Sequence, residues 1–318
     1  MKNELKQIAA ILKQSKTFFI AGHISPDGDS LGSAAALALM LNRTGKKAIV
    51  YCADPIPKNL KCINGISKVK AKASPKDVFD CAIILESGQW ERSGNIITPV
   101  QAKKIINIDH HKTYENFGDV NFVDPNSSSV SELVLDVFEA LNTTPDKKEA
   151  QNLYIGLLTD TGKFQNSNVT AHSHLTAAKL IELGVIPNDI ERKIYSDKTE
   201  NLLKFLAAGL STLELHCNEK LAIFTVTDEM FNKFSNKDKS TMGIVNYGLK
   251  IESVKVSCLI TQENPNASKL SLRSVRQFNL LPALKKLGGG GHKNAAGATL
   301  EANIEKAKKM VLQSFSFK

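Results

Sequence analysis

The sequence predicts an α/β protein with a largely parallel-sheet domain over residues 1–188, a helical linker over 189–205 and a smaller α+β domain over 206–318. β-like runs alternate with amphipathic helical runs through the first part, the pattern of a parallel sheet joined by crossover helices. Metal-capable side chains recur where those β-like runs stop, as they do at the carboxyl edge of such a sheet. The 318 residues also exceed what one core usually serves, roughly 100–200.

Leu5, Ile8, Ala9 and Leu12 have helical spacing. Thr17–Ala21 is a β-prone run leading into GHISPDGDS, and an Ala- and Leu-rich helix is predicted over 31–44, closed by Gly45, with Asp29 or Ser30 as its N-cap. A strand over 47–52 completes a βαβ unit. Pro55, Pro57 and Pro75 punctuate a looser region before a strand over Cys81–Leu85 that ends in Glu86. A strand over 104–108 then delivers Asp109, His110 and His111 consecutively. The polar run NSSS offers an N-cap for a helix over 130–141, with Val134, Leu135, Phe138 and Leu141 as its apolar stripe. Helices follow over 147–158 and 171–183, and a charged helix over 189–204 reads as the connector. The basic remainder shows strands over 221–227, 254–261 and 269–274, a helix over 280–287 and a terminal helix from Ile304.

Composition excludes several classes. The longest apolar run, 34–41, falls far short of the ~20 residues of a membrane span, and no secretory pattern opens the chain, so a cytoplasmic protein without membrane association is expected. Five scattered cysteines without a C-x-x-C read as reduced, packed thiols. Residues 206–318 carry 16 Lys and Arg against nine Asp and Glu, a balance that suits an anionic ligand. One Trp and dispersed aromatics give no stacking stripe for a long single strand, so the substrate is expected to be short.

His23, Asp27 and Asp29 supply an imidazole and two carboxylates from one loop, shaped by Pro26 and Gly28. Asp27 and Asp29 can face different ions, with His23 joining Asp27. Glu86, His110 and Asp160, the last in LLTDTG, extend the set at further expected strand ends. Mixed N and O donors around two ions suit Mn²⁺ better than structural zinc. In the second domain, Gly288–Gly291 precede His292 and Lys293. Four successive glycines are entropically costly unless the backbone must approach something closely, and their N–H groups are expected to cradle a phosphate. Arg273, at a predicted strand end, can hold a phosphate in two-point fashion.

With GHISPDGDS, IDHHK, LLTDTGKF and GGGGHKNAAGA in this order, the chain resembles the DHH phosphoesterases that carry the DHH-associated C-terminal domain, and among them the bacterial nanoRNase and 3′-phosphoadenosine-5′-phosphate (pAp) phosphatase group. The stretch NYGLKIESVKVSCLIT looks like the second domain's pattern, so the resemblance spans nearly the whole chain. It implies one Mn²⁺ held by His23, Asp27 and residue 86, and a second by Asp29, residue 86, His110 and Asp160. It further implies that His111 contacts the scissile phosphate, that Asp109 supports the histidine pair, and that Arg273, Gly289, Gly290, Gly291, His292 and Lys293 hold the nucleotide. Glu86 departs from the pattern, standing where the family usually has Asp.

The expected function is therefore that of an Mn²⁺-dependent hydrolase with its active site in the cleft between the domains. It would convert short RNA oligonucleotides to nucleoside 5′-monophosphates and pAp to AMP. A cyclic or linear dinucleotide phosphodiesterase and a non-catalytic nucleotide sensor are the alternatives. No obligate protein partner is evident, and a homodimer is left open.

Overall fold

The computed structural model describes residues 3–196 and 198–317. The chain forms two compact units, Met1–Asp197 and Lys198–Lys318.

The first unit runs α1 (Asn3–Gln14), β1 (Thr17–Ala21), α2 (Gly28–Arg43), β2 (Lys47–Tyr51), β3 (Cys81–Leu85), β4 (Ile105–Asp109), β5 (Val120–Val123), α3 (Val130–Ala140), α4 (Lys147–Asp160), α5 (Ala171–Glu182) and α6 (Pro187–Tyr195). Its five strands are all parallel, in the order β2-β1-β3-β4-β5. The runs TFFIA and CAIIL are continuously apolar because the sheet is buried on both faces. Phe18, Ile20, Cys81, Ile83 and Leu85 point into the core beneath the helices. Phe19, Ala21, Ala82 and Ile84 point into a second core with Tyr51 and Phe79. The order reverses between β1 and β3, so the carboxyl ends of those strands flank the crevice where open α/β sheets bind ligands.

Close helix packing brings distant acids together there. A Cβ on Gly156 of α4 would overlap Ser131 Oγ and Asp29, and one on Gly28 would overlap Thr159. Only glycine lets α4 approach the start of α2 this closely. Asp160, four residues beyond Gly156, lies on the same helical face.

Several boundaries depart from the sequence expectation. The second helix starts at Gly28, and its N-cap is Asp27, whose side chain accepts from the amides of Asp29 and Ser30. Neither Asp29 nor Ser30 is the cap; Ser30 answers from the third helical position by accepting from the Asp27 amide. Asp160 ends a helix instead of a strand. β5 was not anticipated, its four residues VNFV being too short to register as a run. The connector is two helices: α6 packs Ile190 and Ile194 into the first unit's core, while α7 (Glu200–Leu210) buries Phe205 in the second unit.

The second unit continues from α7 with β6 (Glu214–His216), β7 (Leu221–Val226), α8 (Asp228–Lys233), α9 (Ile244–Gly248), β8 (Val256–Asn264), β9 (Ala267–Ser274), α10 (Leu281–Lys286), β10 (Gly290–Gly291), β11 (Ala295–Leu300) and α11 (Ile304–Ser314). Its mixed sheet has the order β10-β11-β9-β8-β7-β6, in which β7 and β8 pair parallel and the other neighbours antiparallel. One face packs Ile223, Cys258 and Leu272 against α10 and α11, and the other packs Phe224 and Leu259 against α7, α8 and α9. β11, with the sequence AAGATL, lacks the bulky residues that mark a strand and was not anticipated.

Candidate metal centre

Six of the predicted ligands gather into two triads in the first unit. His23, Asp27 and Glu86 offer donor atoms within 4.8 Å of one another, and so do Asp29, His110 and Asp160. In the first, His23 Nε2 lies 3.7 Å from Asp27 Oδ2 and 3.6 Å from Glu86 Oε2. In the second, His110 Nε2 lies 3.6 Å from Asp160 Oδ2. These separations exceed an ordinary hydrogen bond and leave room for an ion between the donors.

Each histidine is turned for ligation. His23 Nδ1 donates to the Ile24 carbonyl at 2.5 Å, and His110 Nδ1 donates to the Ser127 carbonyl at 3.1 Å. A carbonyl only accepts, so Nδ1 carries a proton in each ring and Nε2 is the nitrogen that faces the triad, free to ligate once its own proton is displaced by a cation. His111 is arranged the same way by a carboxylate: its Nδ1 donates to Asp109 Oδ1 at 2.7 Å. Asp109 is fully buried, and the same oxygen accepts the amides of His110 and His111. Burial alone would raise the Asp109 carboxyl, but the His111 ring and the amides of His110 and His111 together more than offset it and hold the pKa below the usual value.

The electrostatics describe a site short of positive charge. Burial, reinforced by neighbouring acids, raises the carboxyls of Asp29 and Glu86, and it raises Asp160 from 3.8 to about 7. Burial works against a charged His23, yet Asp27 and Glu86 overcome it and lift that imidazole to about 11. Asp27 moves the other way, to about 2: burial pushes it up, but the neighbouring His23 together with the Ser30 amide more than offsets that. Glu86 is 3% exposed, and its Oε2 has no hydrogen-bond partner among the described residues. Buried carboxylates are tolerated when paired or bound to a cation. An orphaned oxygen beside an imidazole nitrogen and a second carboxylate therefore fits a divalent ion, which would replace the imidazole proton.

A stability consequence follows. A carboxyl whose pKa is raised from 3.8 to about 7 binds its proton more tightly folded than unfolded, so the metal-free fold loses stability as pH rises across that interval. The elevated His23 adds stability below 6.5 that is lost as pH climbs toward about 11. A bound dication removes both penalties. The rise in melting temperature on adding divalent metal to chelator-treated protein should be larger at pH 8 than at pH 6. An equal or reversed gain in the two melts would separate the triads from metal binding.

Sequence reasoning did not single out the groove of about 470 Å³ beside His111, lined also by Gln89, Arg92, Lys112 and Tyr114. Arg92 lies in a short 3-10 turn after β3, and Lys112 directly follows the histidine pair. Arg92 follows the end of β3 by seven residues and Lys112 the end of β4 by three. Glu86 itself has φ +53°, a left-handed conformation that turns the chain sharply at the end of β3.

In the second unit, Arg273 pairs in register with Ala295, and the turn between β10 and β11 carries His292, Lys293 and Asn294, so the predicted substrate contacts share one end of the sheet. The Arg273 guanidinium donates to the Leu272 carbonyl. The glycine tract differs from the expected open cradle. Gly290 and Gly291 pair with Gly297 and Ala296, the Gly289 amide donates to Leu284, and the His292 amide donates to Ala295. The close approach at Gly289 and Gly291 is to β11, where an added Cβ would collide with backbone.

The pattern of the DHH family N-terminal domain matches residues 17–157, and that of the DHHA1 domain matches residues 218–316. The bifunctional oligoribonuclease and PAP phosphatase NrnA of Thermus thermophilus is 28% identical over 98% of this chain and 93% of its own length. The cyclic-di-AMP phosphodiesterase PdeA of Listeria monocytogenes is 25% identical over 96% of this chain, which spans 48% of that protein. The crystal structure of an exopolyphosphatase-related protein from Bacteroides fragilis superposes with a TM-score of 0.86 at 27% identity, covering 98% of this chain and 95% of that one. The two domain matches take in both halves of the chain, which therefore belongs to the DHH family of phosphoesterases and is a hydrolase with a DHHA1 domain.

Proposed function

We propose that this hydrolase uses two Mn²⁺ ions to convert short RNA oligonucleotides to nucleoside 5′-monophosphates and pAp to AMP. The observation that carries the reading is the pair of adjoining His and carboxylate triads, His23–Asp27–Glu86 and Asp29–His110–Asp160, with His111 next to them. When bound, the cations supply an acidified water and charge stabilisation at phosphorus. The chain's own residues do the rest. The six ligands hold the ions, and His111, its Nδ1 fixed by Asp109, presents Nε2 to the phosphoryl group. Asp109 acts as an orienting carboxylate does toward a catalytic imidazole, fixing its tautomer and ring plane. Arg92 and Lys112 give the adjacent groove positive charge for a phosphate.

Both substrates lose the same bond. Breaking P–O3′ within an oligonucleotide leaves a 5′-phosphate on the next residue, and breaking it in pAp releases phosphate and AMP. The name of the Thermus relative pairs these two activities, which supports the reading. The name of the Listeria relative favours cyclic dinucleotides as the second reading. Incubating the protein with pAp, pGpG, cyclic dinucleotides and 5′-labelled RNA from dimers to decamers, with Mn²⁺, Mg²⁺ or chelator, separates them. Mn²⁺-dependent turnover of pAp and the shortest RNAs is expected. Turnover of cyclic dinucleotides alone would establish the second reading, and binding without turnover would make the protein a sensor.

Substrate capture falls to Arg273, His292 and Lys293 in the more basic half of the chain, with the glycine tract, paired to β11, holding the turn that carries the last two. His292→Ala and Arg273→Ala should each raise KM for nucleotides by about 10- to 100-fold, the equivalent of ~1.5–3 kcal/mol for a hydrogen bond to a charged group. Metal content should be unchanged, and bis-p-nitrophenyl phosphate, which needs no nucleotide contact, should be hydrolysed nearly as before. Normal KM values in both variants would remove the second domain from substrate capture.

A further inference from the structure

The two triads are held differently. Every ligand of the second is tied to one short segment, Ser127 to Glu132, at the start of α3. Asp29 Oδ2 accepts the amide of Val130 at 2.5 Å, and its Oδ1 accepts the amide and hydroxyl of Ser131 at 2.9 and 2.7 Å. His110 Nδ1 is held by the carbonyl of Ser127. Asp160 is reached through one intermediary: Asn168 Nδ2 donates to Asp160 Oδ2 at 3.3 Å and to the Ser128 carbonyl at 2.9 Å, while Ser128 Oγ donates back to the Asn168 carbonyl. The first triad draws its own support from the Ile24 carbonyl and the amides of Asp29 and Ser30.

What fixes the segment is Glu132. It is 1% exposed, and its Oε2 accepts from Ser127 Oγ at 2.5 Å and from the Ser128 amide at 2.8 Å. Its Oε1 has no hydrogen-bond partner among the described residues. No cation is paired with Glu132 among the described ion pairs, so its two bonds to this turn are what compensate its burial. We propose that Glu132 is a positioning residue for the second metal site alone: it locks the Ser127–Ser128 turn, which aims His110 directly and Asp160 through Asn168. Groups behind metal ligands typically contribute 10–100-fold to affinity, and here that contribution is confined to one of two neighbouring ions.

This inference rests on the reading that both triads bind Mn²⁺, and titration of metal-stripped full-length protein with Mn²⁺, followed by calorimetry and electron paramagnetic resonance, tests the two separately. The unmodified protein should bind two ions. Glu132→Ala should weaken one site by about 10–100-fold and the other by less than about threefold. Glu132→Gln, which keeps an acceptor for the Ser127 hydroxyl and Ser128 amide, should recover much of the loss. His23→Ala, in contrast, should weaken the site that Glu132→Ala spares. Asn168→Ala, which frees Asp160 without emptying the site of Glu132, should weaken the same site as Glu132→Ala and answers the question if that variant does not fold. Two intact affinities in the Glu132 and Asn168 variants, or an equal loss at both sites, would overturn the proposal. An unmodified protein that binds no Mn²⁺ would overturn the two-ion reading beneath it.

Discussion

Asp27→Asn should lower turnover on the order of 10³-fold while shifting the melting temperature of the metal-free protein by only a few degrees, a barrier increase of about 4 kcal/mol with the fold retained. The residue has two separable roles. One carboxylate oxygen caps α2 by accepting the amides of Asp29 at 3.0 Å and Ser30 at 2.9 Å. The other faces His23 Nε2 in the first triad. Asparagine is as good an N-cap as aspartate, so its amide oxygen can keep the first role. It cannot supply the negative charge of the second. Asp27→Ala would remove both and add a capping loss of about 0.5–2 kcal/mol, confusing metal binding with stability. Turnover of pAp, metal content and a thermal melt of the Asn variant measure the roles together. Normal turnover with a full metal complement would take Asp27 out of the centre.

That double placement, at a cap and in a triad, was hidden in the sequence. A helix cap and a metal ligand both call for Asp at a loop-to-helix boundary, and the expected helix start at residue 31 assigned the cap to Asp29 or Ser30. In the fold the cap moves to Asp27, and Asp29 is drawn into the interior, where it accepts from the start of α3. The strands of the first sheet were legible because burial on both faces leaves uninterrupted apolar runs such as TFFIA and CAIIL. The candidate residues at their carboxyl ends could be picked out for the same reason, since the end of such a run is visible. Asp160 was expected at a strand end but closes α4, and its place beside Asp29 depends on the crossing of α2 and α4 at Gly28 and Gly156, a tertiary contact without a local signature.

Groups acting behind the ligands left less trace. Glu132 sits within a helix whose apolar stripe was read only in part, Val134, Leu135 and Phe138 without Val130, Leu133 and Val137, and an acid there resembles an ordinary surface position until burial is known. Asn168 lies in a loop eight residues beyond Asp160, and nothing in its local sequence indicates a carboxylate partner. The glycine tract shows the opposite error. Its need for close backbone approach was legible, but the partner at Gly289 and Gly291 is β11, a strand of small residues that carries little β signal.

Glu86→Gln should abolish most turnover, by roughly 10²-fold or more, whereas Glu86→Asp should retain a measurable share of it; each 10-fold loss corresponds to about 1.4 kcal/mol. The side chain is nearly sealed from solvent, and Oε2 stands 3.6 Å from His23 Nε2 with no hydrogen bond to satisfy it. A neutral amide there removes charge that the cation of the first triad would require and leaves an N–H₂ facing His23 Nε2 or the ion itself. Aspartate keeps the charge but withdraws the oxygens by about one C–C bond, so metal affinity or spacing should change more than the fold does. The backbone favours the Asp variant, because φ at residue 86 is +53° and aspartate enters the left-handed region more readily than glutamate. Stability of Glu86→Asp should therefore match or exceed that of the unmodified chain, even as its activity falls. In the Gln variant, His23 loses one of the two acids that hold its pKa near 11, so its imidazole should titrate lower in the metal-free protein. That shift, read by NMR, is independent of catalysis. Full activity of Glu86→Gln together with an unshifted His23 would show that the acid at the end of β3 is not a ligand.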